Sequence, residues 1–111
     1  MPKSDLVAQK ISEIRPRFLA ALSQRLDRLE EIRDQLETVD DVWPLMVEIR
    51  SEAHTTVGLA ATLGFHDLGL LAQEVEIFIH RAEKAGETSH FPEDGLYKFD
   101  SMIGEMALLI P

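Results

Sequence analysis

The stretch Asp41–Gly64, DVWPLMVEIRSEAHTTVGLAATLG, decides how this chain folds. At 100° per residue, Val42, Leu45, Ile49, Ala53, Thr56, Ala60 and Leu63 gather on one side, the three-and-four spacing of a helix that turns one stripe toward a core. Asp40 or Asp41 can cap its start. Pro44 is tolerated because it falls in the first turn, where amide donors lack partners anyway. Gly64 is the natural stop. His54 points well away from the centre of the stripe, so the spacing predicts an exposed or half-exposed imidazole.

The same periodicity runs outward in both directions, and no segment alternates with period two for long. Toward the N-terminus, Ser4 can cap a short first helix carrying Val7, Ile11 and Ile14, which Pro16 breaks or redirects. A longer helix then spans about Arg17 to Leu36. Phe18, Leu22, Leu26, Leu29, Ile32 and Leu36 form its inner stripe, and Arg28, Glu31, Asp34 and Gln35 its solvated side. Toward the C-terminus, Asp67 caps a helix with Leu68, Leu71, Ala72, Val75, Phe78, Ile79 and Ala82 inward, stopped by Gly86. A polar loop from Glu87 to Phe91 leads to Pro92, which opens a last helix burying Leu96, Phe99, Ile103, Met106 and Ile110. The fold class is therefore all-α: an antiparallel four-helix bundle with a short extra N-terminal helix, one domain over residues 1–111.

Charge narrows the function classes. Twenty acidic against eleven basic residues give a net charge of -9, which repels nucleic-acid phosphates and anionic lipid surfaces. The absence of cysteine excludes disulfides, thiolate metal sites and cysteine nucleophiles. The N-terminal Met-Pro-Lys-Ser-Asp leads into an amphipathic stretch instead of a signal-peptide apolar block, and no segment approaches the roughly 20 apolar residues of a membrane span. A cytoplasmic protein is the expectation.

The chemistry centres on His54 and Gly58. Residues i and i+4 are neighbours on a helix surface, and glycine inside a helix costs about 1 kcal/mol relative to alanine. Gly58 thus leaves room beside the imidazole for something that approaches closely. Trp43, Val47, Arg50, Ser51 and Ala61 share this face, with Val57 at its margin, and Leu70 and Ile77 on the next helix extend it. A small, partly apolar face with one cation suits docking. Histidine, with an ordinary pKa of about 6.5, offers a neutral nucleophilic nitrogen near pH 7. Phosphoryl transfer to such a nitrogen needs in-line positioning and charge neutralisation more than a cavity.

The segment Arg50–Glu76, with its His54-x-x-x-Gly58 core, the Gly64-Phe65 helix end and Leu68-x-x-Leu71-Ala72-x-x-Val75-Glu76 opening the next helix, resembles the histidine-containing phosphotransfer (HPt) domain family. The resemblance implies that His54 carries phosphate between aspartates of receiver domains, from a hybrid histidine kinase to a response regulator. The protein would be a phosphocarrier without ATP-binding or autokinase activity, with no cofactor of its own and any magnesium on the receiver's carboxylates. It also implies a monomer. Where the family usually has lysine this chain has Val57, and where it usually has serine this chain has Leu59. Arg50, one turn before His54, can supply the missing charge.

His66, His80 and His90 read as surface or loop residues, and Arg50 alternatively as a surface charge paired with Glu48 or Glu52. Glu76 and His80 make at most half of a metal site, so no metal is expected. No glycine-rich phosphate loop is present. The competing readings are a degenerate HPt-like bundle that docks receivers without accepting phosphate, favoured by Val57 and Leu59, and a small subunit that self-associates through Trp43, Val47, Leu70 and Ile77.

Overall fold

Helix α2 takes up the stretch on which the reading turned. In a computed structural model describing residues 3–111, with side chains from Glu13 onward, the elements are α1 (Lys3–Gln35), α2 (Trp43–Leu63), α3 (His66–Lys84) and α4 (Glu93–Leu109). The Ser4 cap and the burial of Val7 and Ile11 fall on side chains outside that description. Among the described residues every regular element is helical. Helix α1 packs on α2 and α4, and α3 packs on the same two, so the four form a closed ring with two opposite seams, α2–α3 and α1–α4. Cross-helix partners run in opposite sequence directions on both sides of α2: Arg25 with Glu52 and Arg28 with Glu48, then His54 with Glu76 and Arg50 with Glu83. Neighbours are antiparallel, as in an up-down-up-down bundle.

The extra N-terminal helix is a correction. Pro16 lies inside a continuous α1 and does not break it. A proline removes one amide donor and crowds the preceding turn, at about 3 kcal/mol in a packed helix interior. Residues 13–17 are all exposed, however, so the proline ring sits on a solvent-facing turn and not in a packed interior. Arg15 bonds the carbonyl of Leu63 at 3.0 Å, so the turns of α1 before it run past the end of α2.

Caps were only partly legible. Asp41 accepts the Trp43 amide at 3.2 Å, although the residue flanking the helix is Val42, and Pro44 sits in the first turn as expected. Gly64 closes α2 with φ 80°, and the Phe65 amide returns to the carbonyl of Ala60 at 2.9 Å, a left-handed cap that glycine adopts without a Cβ clash. Asp67 is not a cap: α3 starts at His66 directly after Phe65, leaving Asp67 in the first turn, where its charge favours the helix dipole. The buried core holds the centres of the predicted stripes plus Met46, Met102 and Phe91, whereas Leu36, Leu71, Phe78, Leu96, Ile103 and Ile110 pack half-buried at its margin and Ile14 is exposed. Leu45 is only half-buried because Met46 occupies the centre of the inward face.

Phe91, read as loop, plugs the α3–α4 end: its ring stacks on Phe78 at 6.1 Å and on Phe99 at 6.2 Å between centroids. Gly95 makes that possible. A Cβ there would collide with the Phe78 ring and stand 2.5 Å from Cε1 of Phe91. On the outside, Arg28 grips Glu48 through two hydrogen bonds of 2.6 and 2.8 Å, which with Glu31 raises the Arg28 guanidinium above its usual range and holds the Glu48 carboxyl below its own. Arg33 ties α1 to α4 through Asp100 at 2.8 Å.

Gly95→Ala should destabilise the fold by about 2 kcal/mol, because overpacking outweighs the gain in helix propensity. The check is the urea unfolding midpoint, which should fall at unchanged slope.

Candidate phosphoacceptor site

The α2–α3 hairpin builds the site. Because the chain reverses at Gly64-Phe65 with almost no loop, α2 and α3 run antiparallel in a fixed register, and residues equally far from Phe65 come opposite one another. His54 and Glu76 are such a pair. The imidazole is 77% exposed, yet its Nδ1–H donates to Oε2 of the Glu76 side chain, which is 28% exposed. A carboxylate only accepts, so this bond requires the proton on Nδ1, and in the neutral ring that tautomer leaves the Nε2 lone pair unprotonated. Among the described residues nothing bonds Nε2. The result is an outward-facing nucleophile with its tautomer and ring orientation fixed from behind.

Gly58 is exposed, and a Cβ built on it would meet nothing within 4 Å. No neighbouring helix therefore requires glycine at this position, which removes close packing as its reason. Val57 is half-buried at the margin, and Ala61 lies exposed one turn further on. Val57 and Ala61 join Leu70, Phe65 and Gly69 around a shallow depression of about 180 Å³ that begins a turn beyond His54. Leu70 is 49% exposed at its rim. Val47 is half-buried and Ser51 exposed on α2, on the N-terminal side of the histidine. Ile77 does not join them; it lines a separate hollow on the α3–α4 seam with Phe78, Arg81 and Lys98.

Arg50 has a different partner from those predicted. Glu48 is taken by Arg28 and Glu52 by Arg25, both across the α1–α2 seam, so Arg50 turns the other way. It pairs with Glu83 of α3, and its guanidinium carbon stands 5.6 Å from the centre of the half-buried Trp43 ring. Neither Glu76 nor Glu83 was singled out from the sequence for these contacts. For His54 the hairpin carries a hint, since Glu76 lies as far after Phe65 as His54 lies before it; Arg50 instead reaches Glu83, three residues beyond its matching position His80, which the spacing does not give.

His66, His80 and His90 are exposed, and no cluster of three or more metal-binding side chains occurs among the described residues. Among the described residues a wider hollow of about 740 Å³ lies between α1 and the chain at the end of α4, away from His54. Its described lining is mainly apolar, and Arg15 within it is bonded to the Leu63 carbonyl and lies 4.9 Å from the centre of the Phe65 ring. Among the described residues it brings no acid and base together. No described helix is long and apolar enough to cross a membrane.

With open space around Gly58, Gly58→Ala should stabilise the isolated domain by about 1 kcal/mol through helix propensity. Thermal or urea unfolding reads this directly, and a destabilised variant would mean that glycine is needed for the fold.

A comparison with curated proteins and one with solved structures gave no match. A scan of protein families matched the Hpt domain over residues 13–107, the span that holds nearly all of the bundle and the whole α2–α3 hairpin. Hpt domains are phosphocarrier modules of two-component signalling that interact with receiver domains and have no kinase activity of their own. With the four-helix fold and a family match over most of its length, this chain belongs to the Hpt domain family.

Proposed function

We propose that this single domain is a cytoplasmic phosphorelay intermediate in which His54 accepts a phosphoryl group from one receiver aspartate and donates it to another, linking a hybrid histidine kinase to a response regulator. The observation that carries the reading is the exposed imidazole whose Nδ1–H is held by Glu76 while Nε2 stays free. In the accepting step Nε2 attacks phosphorus in line, the Nε2–P bond forms, the P–O bond of the aspartyl phosphate breaks, and the carboxylate leaves with the electron pair. The ring then carries positive charge. Glu76, still bonded to Nδ1–H, balances that charge and keeps the ring from turning, so it acts as a positioning residue.

The receiver docks over α2 and α3, with Val47, Ser51, Val57, Ala61 and Leu70 as contacts and Gly58 leaving clearance for the incoming phosphoaspartate. Magnesium belongs to the receiver's carboxylates. Arg50 is the phosphate's charge partner. Exposed apolar residues grouped beside a nucleophile support docking more than scattered ones do.

A second reading, a degenerate bundle that docks receivers without accepting phosphate, is favoured by Val57 and Leu59 in place of the family's lysine and serine. Transfer from each phosphorylated receiver of the same organism separates the two. Acid-labile label should appear on the wild type and vanish in His54→Gln. Binding without label in the wild type would establish the docking module instead. Glu76→Gln should retain the fold and slow transfer roughly tenfold, the scale of one hydrogen bond to a charged group. Nitrogen chemical shifts of the His54 ring should show the Nδ1–H tautomer losing its dominance.

A further inference from the structure

Resting on the phosphocarrier reading, we infer that Glu83 controls the stability of the phosphorylated state by competing with the phosphoryl group for Arg50. Four observations meet here. Arg50 stands four residues before His54, a spacing that puts their Cβ atoms about 5–6 Å apart on one helix face. Its guanidinium is committed across the seam to Glu83 and rests against Trp43. Val57, one turn after His54, brings no charge. The neighbouring arginines of α1 that reach α2, Arg25 and Arg28, are occupied by Glu52 and Glu48 on the opposite side of that helix. Among the described residues Arg50 is thus the cation one turn from His54 on its own helix, and it is already engaged.

The engagement is reversible by magnitude. The Glu83 side chain is 47% exposed and that of Arg50 28%, and pairs of such exposure are worth at most about 1 kcal/mol. A phosphoryl group on Nε2 offers nearly two negative charges and three acceptor oxygens, which a guanidinium can meet with two parallel N–H donors. Arg50 therefore moves from Glu83 to the phosphoryl group when His54 is loaded. Glu83 draws it back when the group leaves. Because the Glu83 pair is weak but not negligible, it lowers the equilibrium occupancy of phosphohistidine and favours onward transfer. The family's lysine position is empty here, so one arginine with two alternative anions takes over its task.

Phosphoramidate tests this without a receiver. Nε2 attacks its phosphorus, the donor's P–N bond breaks, ammonia leaves with the electron pair, and Nδ1 keeps its proton against Glu76. The equilibrium constant for loading, read by phosphorus NMR at fixed ammonia concentration, would be compared in wild type, Arg50→Ala, Glu83→Gln and the double variant. Glu83→Gln should raise it roughly threefold, the scale of an exposed pair. Arg50→Ala should lower it, and Glu83→Gln should have no effect in the Arg50→Ala background. On loading of the wild type, the Nε–H resonance of Arg50 should shift.

An equal effect of Glu83→Gln with and without Arg50 would overturn the inference, because the residue would then act only as a general negative charge. No effect in either background, or an Arg50 resonance that does not move on loading, would overturn it as well. A wild type that takes no label on His54 from phosphoramidate or from any receiver would overturn the phosphocarrier reading itself, and is told apart by the absence of phosphohistidine.

Discussion

The reversal at Gly64-Phe65 governs the rest of the molecule. A left-handed glycine at φ 80° closes α2, and α3 begins at His66, so the two helices have no slack with which to slide past each other. Phe65 is fixed from the other side by stacking on Phe18 at 5.4 Å, with Arg15 above its ring and bonded to Leu63. This anchoring sets the register of the hairpin, and the register sets the site. Shifting α3 by one residue would rotate its face by about 100° and remove both Glu76 from His54 and Glu83 from Arg50.

Two kinds of interaction divide the work in this acidic chain. Stability comes from the apolar interior, where Leu22, Leu29, Ile32, Met46, Ile49, Phe99 and Met106 are fully buried and truncation of any one would cost several kcal/mol, on the order of 2–5. The ion pairs outside are individually weak. Their value lies in which charges they occupy. Glu48 and Glu52 are turned toward α1, leaving the α2–α3 seam with Glu76 and Glu83, each matched to one nitrogen-bearing side chain of α2. The polar side chains on that seam are thus ordered on a surface that is otherwise open to solvent.

Such an arrangement suits a carrier more than an enzyme with a pocket. The hollow with room for a small molecule lies away from His54 and brings no acid and base together among the described residues, whereas the nucleophilic nitrogen stands on a convex surface with only a shallow depression beside it. A convex nucleophile reaches into a partner's site. On the proposed phosphocarrier reading, the water exclusion and metal that phosphoryl transfer calls for fall to the partner, and the bundle contributes an oriented imidazole and a face that admits close approach.

The sequence by itself determined the helical class, the inward stripes of all four helices, the exposure of His54 and the stop at Gly64, because these follow from local periodicity and backbone preference. It also carried the family resemblance, through His54, Gly58 and the leucine pattern after Gly64. Local rules failed where the outcome depended on what a segment faces. Pro16 does not end α1 because the surrounding turn meets solvent, Asp67 caps nothing because the tight turn starts α3 early, and Phe91 and Gly95 make sense only against Phe78 and Phe99. Tertiary structure alone decided the partners of His54 and Arg50. Glu76 and Glu83 are more than twenty residues away in the chain, and only the antiparallel register of α2 and α3 converts that separation into contact.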